Sequence, residues 1–235
     1  MIHVGRARRT ASASSDTVRR RLTDSEARRG RFTIGWSTPR RCPVKRSLAP
    51  LAAAGIALAG AALAAKAYSK FSGGRRGNAA VPEPAKPVDL DRYLGKWYEF
   101  ARYENGFERG CEGVTAEYAL RDDGLVSVRN TCHEGCADGE ARTSEGRARI
   151  VPGSAGAKLE VSFFGPFFFG DYWVLDHADD YTWSIVGEPS GRFLWILTRE
   201  ARPPRALATS LIARVAALGY DTALLRETAH APVPA

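Results

Sequence analysis

The chain has 235 residues, 44% hydrophobic and 26% charged, a composition that excludes a wholly disordered, collagen-like or many-helix membrane protein and leaves room for one real core. The formal charge of +8 does not describe the working domain: residues 1–46 carry 13 Lys plus Arg against 3 Asp plus Glu, and the remainder nets −2. Cations confined to a tail without apolar periodicity do not build a phosphate-binding face, so nucleic acid is excluded as a partner.

Residues 1–46 show neither a helical nor a strand repeat and are expected to be disordered, or to lie outside the translated chain. Lys45 and Arg46 then precede an uncharged run over residues 47–65 dominated by Ala and Leu. This order marks residues 47–67 as a signal peptide or a membrane anchor. Attachment through residues 47–65 is one outcome; small-x-small cleavage positions at residues 62–64 and 65–67 serve the other. A lipid-carrying cysteine would close such a run, whereas Cys42 precedes it, which argues against lipoprotein anchoring. The Gly, Pro, Lys and Arg of residues 68–85 suggest a flexible tether. Residues 86–230 are left as the folded domain, close to the modal size.

Eight runs of strand character follow, at residues 96–103, 113–120, 125–132, 143–151, 158–164, 171–176, 181–187 and 193–199. The second and third are joined by Arg121-Asp122-Asp123-Gly124 and the last two by Glu188-Pro189-Ser190-Gly191, short connections that force antiparallel neighbours. Val114, Ala116, Tyr118 and Leu120 alternate with Thr115 and Glu117, and Tyr181, Trp183 and Ile185 with Thr182 and Ser184, which gives each strand one dry face. Residues 193–197 are apolar on both faces and need an outer cover. Leu207, Leu211, Ile212, Val215 and Leu218 recur at helical spacing between Pro204 and Gly219, predicting a helix over 204–218 that supplies it. The expected fold is all-β: an eight-stranded antiparallel up-and-down β-barrel, a calyx, with one C-terminal α-helix packed outside.

Such a barrel is either filled by side chains or holds one small ligand, and composition alone leaves both readings open. For the second, the presumed inner faces offer Val114, Ala116, Tyr118, Val128, Phe164, Trp173, Tyr181, Trp183 and Trp195 as ligand contacts. Gly-x-Ser-x-Gly, His-Glu-x-x-His, phosphate-loop and dinucleotide motifs are missing, so hydrolase, metalloprotease and nucleotide chemistry have no foothold, and no cofactor is expected. His177, set among Asp176, Asp179 and Asp180, is expected in a solvated turn between two strands and not in an acid–base cluster.

Particular residues then carry a resemblance. Residues 93–102, Tyr-Leu-Gly-Lys-Trp-Tyr-Glu-Phe-Ala-Arg, resemble the first-strand motif of the lipocalins, in which Gly-x-Trp opens the barrel. Residues 107–118 resemble the second strand of the bacterial, apolipoprotein-D-like branch of that family. Residues 162–175 are similar to the same branch and hold its second motif at Asp171 and Tyr172, and residues 194–199 resemble the third motif, ending in Arg199. The resemblance covers residues 89 to about 228. It implies non-enzymatic binding, transport or storage of a small apolar ligand, a fatty acid or lysophospholipid, in the bacterial cell envelope, either periplasmic or membrane-anchored. It also implies structural roles for Gly95, Trp97, Asp171, Tyr172 and Arg199: Arg199 lies across Trp97 as a plug of the closed end, and Asp171 anchors a loop. Two departures stand out: the missing lipobox, and the Phe167-Phe168-Phe169 run, which would alter the pocket mouth. The alternatives are a lipocalin-fold enzyme using a calyx thiol or acid, and a filled barrel with a structural role.

Cys111 enters the second strand and Cys132 leaves the third. With Leu120 facing Leu125 across the turn, these thiols lie within reach of a small register change, and an oxidising envelope favours a Cys111–Cys132 bridge with Cys136 left over. A Cys132–Cys136 redox pair and a metal site at Cys132, His133 and Cys136 are the rivals.

Overall fold

The structure, a computed structural model, describes residues 74–232. A single-turn helix α1 (Leu90–Tyr93) leads into strands β1 (Gly95–Tyr103), β2 (Cys111–Leu120), β3 (Val126–Glu134), β4 (Ala141–Ile150), β5 (Lys158–Ser162), β6 (Gly170–His177), β7 (Trp183–Gly187) and β8 (Leu194–Thr198). Helix α2 (Arg205–Ala217), a 3₁₀ turn (Thr222–Leu224) and strand β9 (Leu225–Glu227) complete it. Strands β2 to β7 pair antiparallel with their successors, β8 pairs with β1, and β1 returns to β2, which closes the barrel. Closure leaves no long edge to template aggregation.

Because the strands alternate in direction, α1 and the loops at 121–125, 151–157 and 178–182 gather at one end, the closed end. The loops at 104–110, 135–140, 163–169 and 188–193 gather at the other, the open end. The eight expected strands and the helix are present, with ends shifted by a few residues. Strand β9 was not anticipated, since three residues carry too little alternation to be read. It pairs with Ala101, Arg102 and Tyr103, beyond the part of β1 that pairs with β2. The following residues continue into the seam between β1 and β2: Thr228 N–H donates to Phe100 O, and Gly113 N–H to Ala229 O.

Helix α2 starts after Pro204 and stops at Gly219, whose φ of +88° suits a glycine. It buries Ala208, Leu211 and Val215, and the sheet beneath it supplies the fully buried Ile185, Leu194 and Ile196. This is the outer cover that residues 193–197 require.

Residues 74–85 are not a free tether. Gly77 N–H donates to Gly191 O, Asn78 Nδ2 donates to Leu218 O at 2.9 Å, and Asn78 is buried. A Cβ on Gly77 would sit 2.2 Å from the Tyr103 ring, and one on Gly191 2.1 Å from Asn78 O. Gly77, which suggests flexibility in sequence, permits close backbone approach instead. Residues 1–73, with the expected disordered segment and the signal or anchor, lie outside the described residues.

The β2–β3 turn brings Leu120 opposite Val126, one residue from the expected partner Leu125. A register shift between Glu112 and Thr115 then sets Cys111 beside Cys132, and the two are bridged, with Cα atoms 5.3 Å apart. Cys136 is disulfide-bonded as well, so it is not a leftover thiol. Neither the Cys132–Cys136 redox pair nor the Cys132, His133, Cys136 metal site is formed.

Candidate functional site

The floor of the barrel is built by α1. Asp89 caps this turn by accepting from Asp91 and Arg92 N–H, which swings Tyr93 inward. The Tyr93 hydroxyl meets Tyr172 Oη at 2.8 Å and Ser184 Oγ at 3.0 Å, and Tyr172 meets Tyr118 Oη at 3.1 Å. Burial pushes the Tyr93 phenol up to about 12 and raises Tyr118 and Tyr172 too. These hydroxyls therefore stay protonated and satisfy one another.

Trp97 is fully buried beneath this chain and donates its indole N–H to Tyr93 O at 2.8 Å. The Arg199 guanidinium lies 3.7 Å from the Trp97 ring centroid. It also donates to five main-chain carbonyls, those of Arg92, Tyr93, Leu94, Lys96 and Tyr181. Gly95, at φ +90°, lets the chain pass that guanidinium; a Cβ there would stand 3.5 Å from Nη1. One side chain thus ties α1, β1 and the β6–β7 loop together. Tyr181, in the left-handed conformation at φ +60°, accepts from Asp89 N–H at 2.8 Å and stacks on His177. It belongs to the floor. His177 is buried against the carbonyls of Ala178 and Pro87, so the solvated turn expected of it is not found.

Above the floor the lower wall is apolar: Val126, Val128, Ala148 and Leu159 form one cluster, and Val174, Val186 and Leu197 join Trp97 in another. Tyr118, Val161, Tyr172 and Trp195 pack against these clusters yet are only partly buried. These inward-facing side chains keep partial access to solvent. Ala116 sits opposite Trp97 and on the same strand face as Tyr118. Val114 is buried just above it. Across the sheet from Ala116 the wall turns polar, with Asn130 and then Ser144 in register.

Three expected ligand contacts lie elsewhere. Trp183 is on the outer face, its ring 4.8 Å from the Arg214 guanidinium of α2, because the inward position on β7 belongs to Ser184, which reaches Tyr93. Trp173 follows the inward Tyr172, so it points outward, under the Lys158 ammonium at 3.9 Å. Phe164 lies past the end of β5 and is 83% exposed. In each case a large aromatic suggests an inward face where a neighbouring hydroxyl or loop position decides it. Asp171 also faces out and makes no side-chain hydrogen bond among the described residues, so no loop anchored by it is seen there; burial and the nearby Glu188 and Glu160 raise its pKa.

Sequence reasoning missed a charged cluster high in the barrel. Arg102, fully buried, donates to Glu99 Oε1 at 2.6 Å, Thr228 Oγ1 at 3.1 Å and the carbonyls of Glu108 and Cys111. Glu108 accepts from the indole N–H of Trp195 at 3.0 Å and from Asn105. Burial first, and Glu108 second, push the Glu99 carboxyl up to about 8. Among the described residues Glu99 Oε2 and Arg102 Nε are buried without a hydrogen-bond partner, although Nε lies 3.8 Å from Glu108 Oε2. The signal available is a Glu and an Arg within the apolar stretch Trp97–Tyr103 of the first strand, a pattern that means paired burial. Among the described residues no group of three or more His, Cys, Asp or Glu could hold a metal ion.

The lipocalin-like domain model matches residues 88–230. The outer membrane lipoprotein Blc of Vibrio cholerae is 42% identical over 146 residues, covering 60% of this chain and 84% of that one. Its namesake from Escherichia coli K12 is 41% identical over 133 residues, covering 57% and 74%. Apolipoprotein D of Macaca fascicularis is 35% identical over 139 residues, covering 55% and 70%. Among solved structures, insecticyanin of the tobacco hornworm Manduca sexta superposes with a TM-score of 0.53 at 20% identity, covering 67% of this chain and 88% of that one. Two of these relatives are named as lipoproteins, which runs against the expectation that lipid anchoring is absent. With its closed barrel, plugged floor and domain-long family match, the chain belongs to the lipocalin family.

Proposed function

We propose that this lipocalin, a binder of small hydrophobic molecules, takes up a single acyl chain, as a fatty acid or lysophospholipid, and carries or stores it in the bacterial cell envelope. The observation that carries this reading is the lengthwise polarity of the interior. An apolar lower wall with partly buried inward side chains lies over a floor whose hydroxyls are already paired. Above it stand Asn130, Ser144 and the Glu99–Arg102 pair. An acyl tail fits the lower half and a polar head the upper. Ala116, Tyr118, Val128 and Trp195 would touch the ligand, with Val114 near the polar half, and Tyr172 and Tyr181 close the floor. The envelope location draws on the two relatives named outer membrane lipoproteins and on the apolar run at residues 47–65.

A carrier reading also suits the cysteines. Cys111, Cys132 and Cys136 are all in disulfides, which removes the calyx thiol that an enzymatic alternative would use. Each methylene moved from water into a dry cavity contributes about 0.8 kcal/mol, enough for a tail of roughly 16 carbons to bind at micromolar Kd or tighter after association costs. Titration of delipidated protein with saturated fatty acids of increasing length, followed by tryptophan emission, is the test. Affinity that rises with length and then levels off, at one ligand per chain, supports the reading; affinity independent of length sinks it.

A further inference from the structure

Between Gly95 and Tyr98 strand β1 pairs directly with β2, but above Tyr98 the two strands part. Residues 225–230 fill the gap. Strand β9 pairs with Ala101, Arg102 and Tyr103, Thr228 N–H donates to Phe100 O, and His230 Nε2 lies 2.8 Å from Glu99 O, so the segment runs along β1. Leu225, Thr228 and His230 are buried. This segment is therefore a stave of the barrel wall, and Leu197 and Trp195, which pair with Glu99 and Arg102, place the upper calyx behind it.

Its hold on β2 is of another kind. Among the described residues one main-chain bond joins the two, from Gly113 N–H to Ala229 O at 2.7 Å. The rest is side chain: Glu112 accepts from Ala229 N–H at 2.7 Å and from the Arg226 guanidinium, which also donates to Cys111 O at 3.3 Å and pairs with Glu104 at 3.2 Å. Arg102, on the β1 side, adds a bond to Cys111 O. A seam held by partly exposed ion pairs opens more readily than a ladder of main-chain bonds. Opening it also lets water reach Glu99 Oε2 and Arg102 Nε, which are buried without hydrogen-bond partners among the described residues, so part of its cost is offset. The base of the stave is fixed: Asp221 N–H donates to Gly77 O, its carboxylate accepts from Ala223 N–H, and its carbonyl accepts from the Tyr103 hydroxyl.

We infer that the seam between this stave and β2 is a side gate of the calyx, through which the apolar ligand enters and leaves above the plugged floor. The inference rests on the reading of the calyx as an acyl-chain site. It makes Arg226 and Glu112 a latch that sets the rate of ligand exchange and not the affinity, because loosening a latch changes how often the wall opens and leaves the closed cavity as it is.

Full-chain Arg226→Gln is compared with the unaltered protein and with Arg149→Gln, which loses an ion pair to Glu160 on strands that do not border the seam. Amide hydrogen exchange at Gly113 and Ala229 reads the opening without a ligand, and stopped-flow mixing with palmitate, followed by tryptophan emission, reads the passage. Arg226→Gln should speed exchange at both amides about fivefold and raise the association and dissociation rates of palmitate by the same factor, with Kd within about twofold. Glu112→Gln should repeat the pattern, and Arg149→Gln should change none of these quantities. Faster exchange with unaltered palmitate rates overturns the gate. So does a weakened Kd with an unaltered association rate, which would make Arg226 a ligand contact, and so does unaltered amide exchange in both latch variants. The same rates are read with anilinonaphthalene sulfonate: uptake of the dye without uptake of palmitate refutes the acyl-chain reading, while the dye's rates still decide the gate.

Discussion

The two ends of this barrel are built on opposite principles. At the closed end the side chains are interlocked: Trp97 is fully buried, Arg199 serves five carbonyls, and Tyr93, Tyr118, Tyr172 and Ser184 share one hydroxyl chain. At the open end five phenylalanines are exposed, most of the upper half of β4 is exposed, and the buried Glu99–Arg102 pair keeps two atoms without a hydrogen-bond partner among the described residues. The difference teaches that rigidity and binding are separated along the barrel axis. Changes at the floor should act on stability, and changes at the mouth on what the barrel meets.

Trp97→Ala breaks the floor most severely. Removing a fully buried indole leaves a cavity and should cost about 3–5 kcal/mol, read as a large drop in denaturation midpoint. Reduction of Cys111–Cys132 tests the opposite end. With a sequence separation of 21, the closed loop corresponds to about 3 kcal/mol in the chain-entropy model; a melting point unchanged by reductant would show that the open end needs no staple. Arg199→Ala comes next, at about 2 kcal/mol from lost charge-assisted hydrogen bonds and the ring contact. Its ligand affinity should stay within a factor of two or so wherever the variant is folded, and lost affinity with an unchanged melting point would contradict the floor's assignment as a plug.

A subtler difference is in pH. Glu99 has its carboxyl raised from 4.5 to about 8, chiefly by burial, so the folded chain holds this proton more tightly than the unfolded chain does. The contribution of Glu99 to stability is then full below about pH 4.5 and is lost as pH rises through about 8. Glu99→Gln should flatten that part of the melting-temperature profile; the same slope in both proteins would assign it to other groups. At the small end, Phe164→Ser should leave stability within about 0.5 kcal/mol, since the ring packs on little.

Much of the floor was legible in sequence because its residues are local to one motif: Gly95, Trp97 and Tyr93 lie within five positions. The strand count and the helix followed from alternation, turn residues and a doubly apolar last strand. Facing was harder. Trp173 and Trp183 read as inward in sequence because large apolar rings commonly are, but a neighbouring tyrosine or serine holds the inward position on each strand. The Glu99–Arg102 pair escapes a sequence reading because its other partner, Thr228, is 126 residues from Arg102 and follows a strand too short to see. Gly77 is misleading for a related reason, as close packing and flexibility demand the same residue.

The central claim is that the ligand sits inside the lower barrel and not on its aromatic outer face. Palmitate affinity of Ala116→Phe and Trp183→Ala, each confirmed folded by circular dichroism, measures this most directly. The account predicts that Ala116→Phe, which projects into the lumen opposite Trp97, weakens binding at least about tenfold, close to 1.4 kcal/mol, while Trp183→Ala leaves it unchanged. Unaltered binding by Ala116→Phe together with a loss in Trp183→Ala would place the ligand outside the calyx and contradict the account.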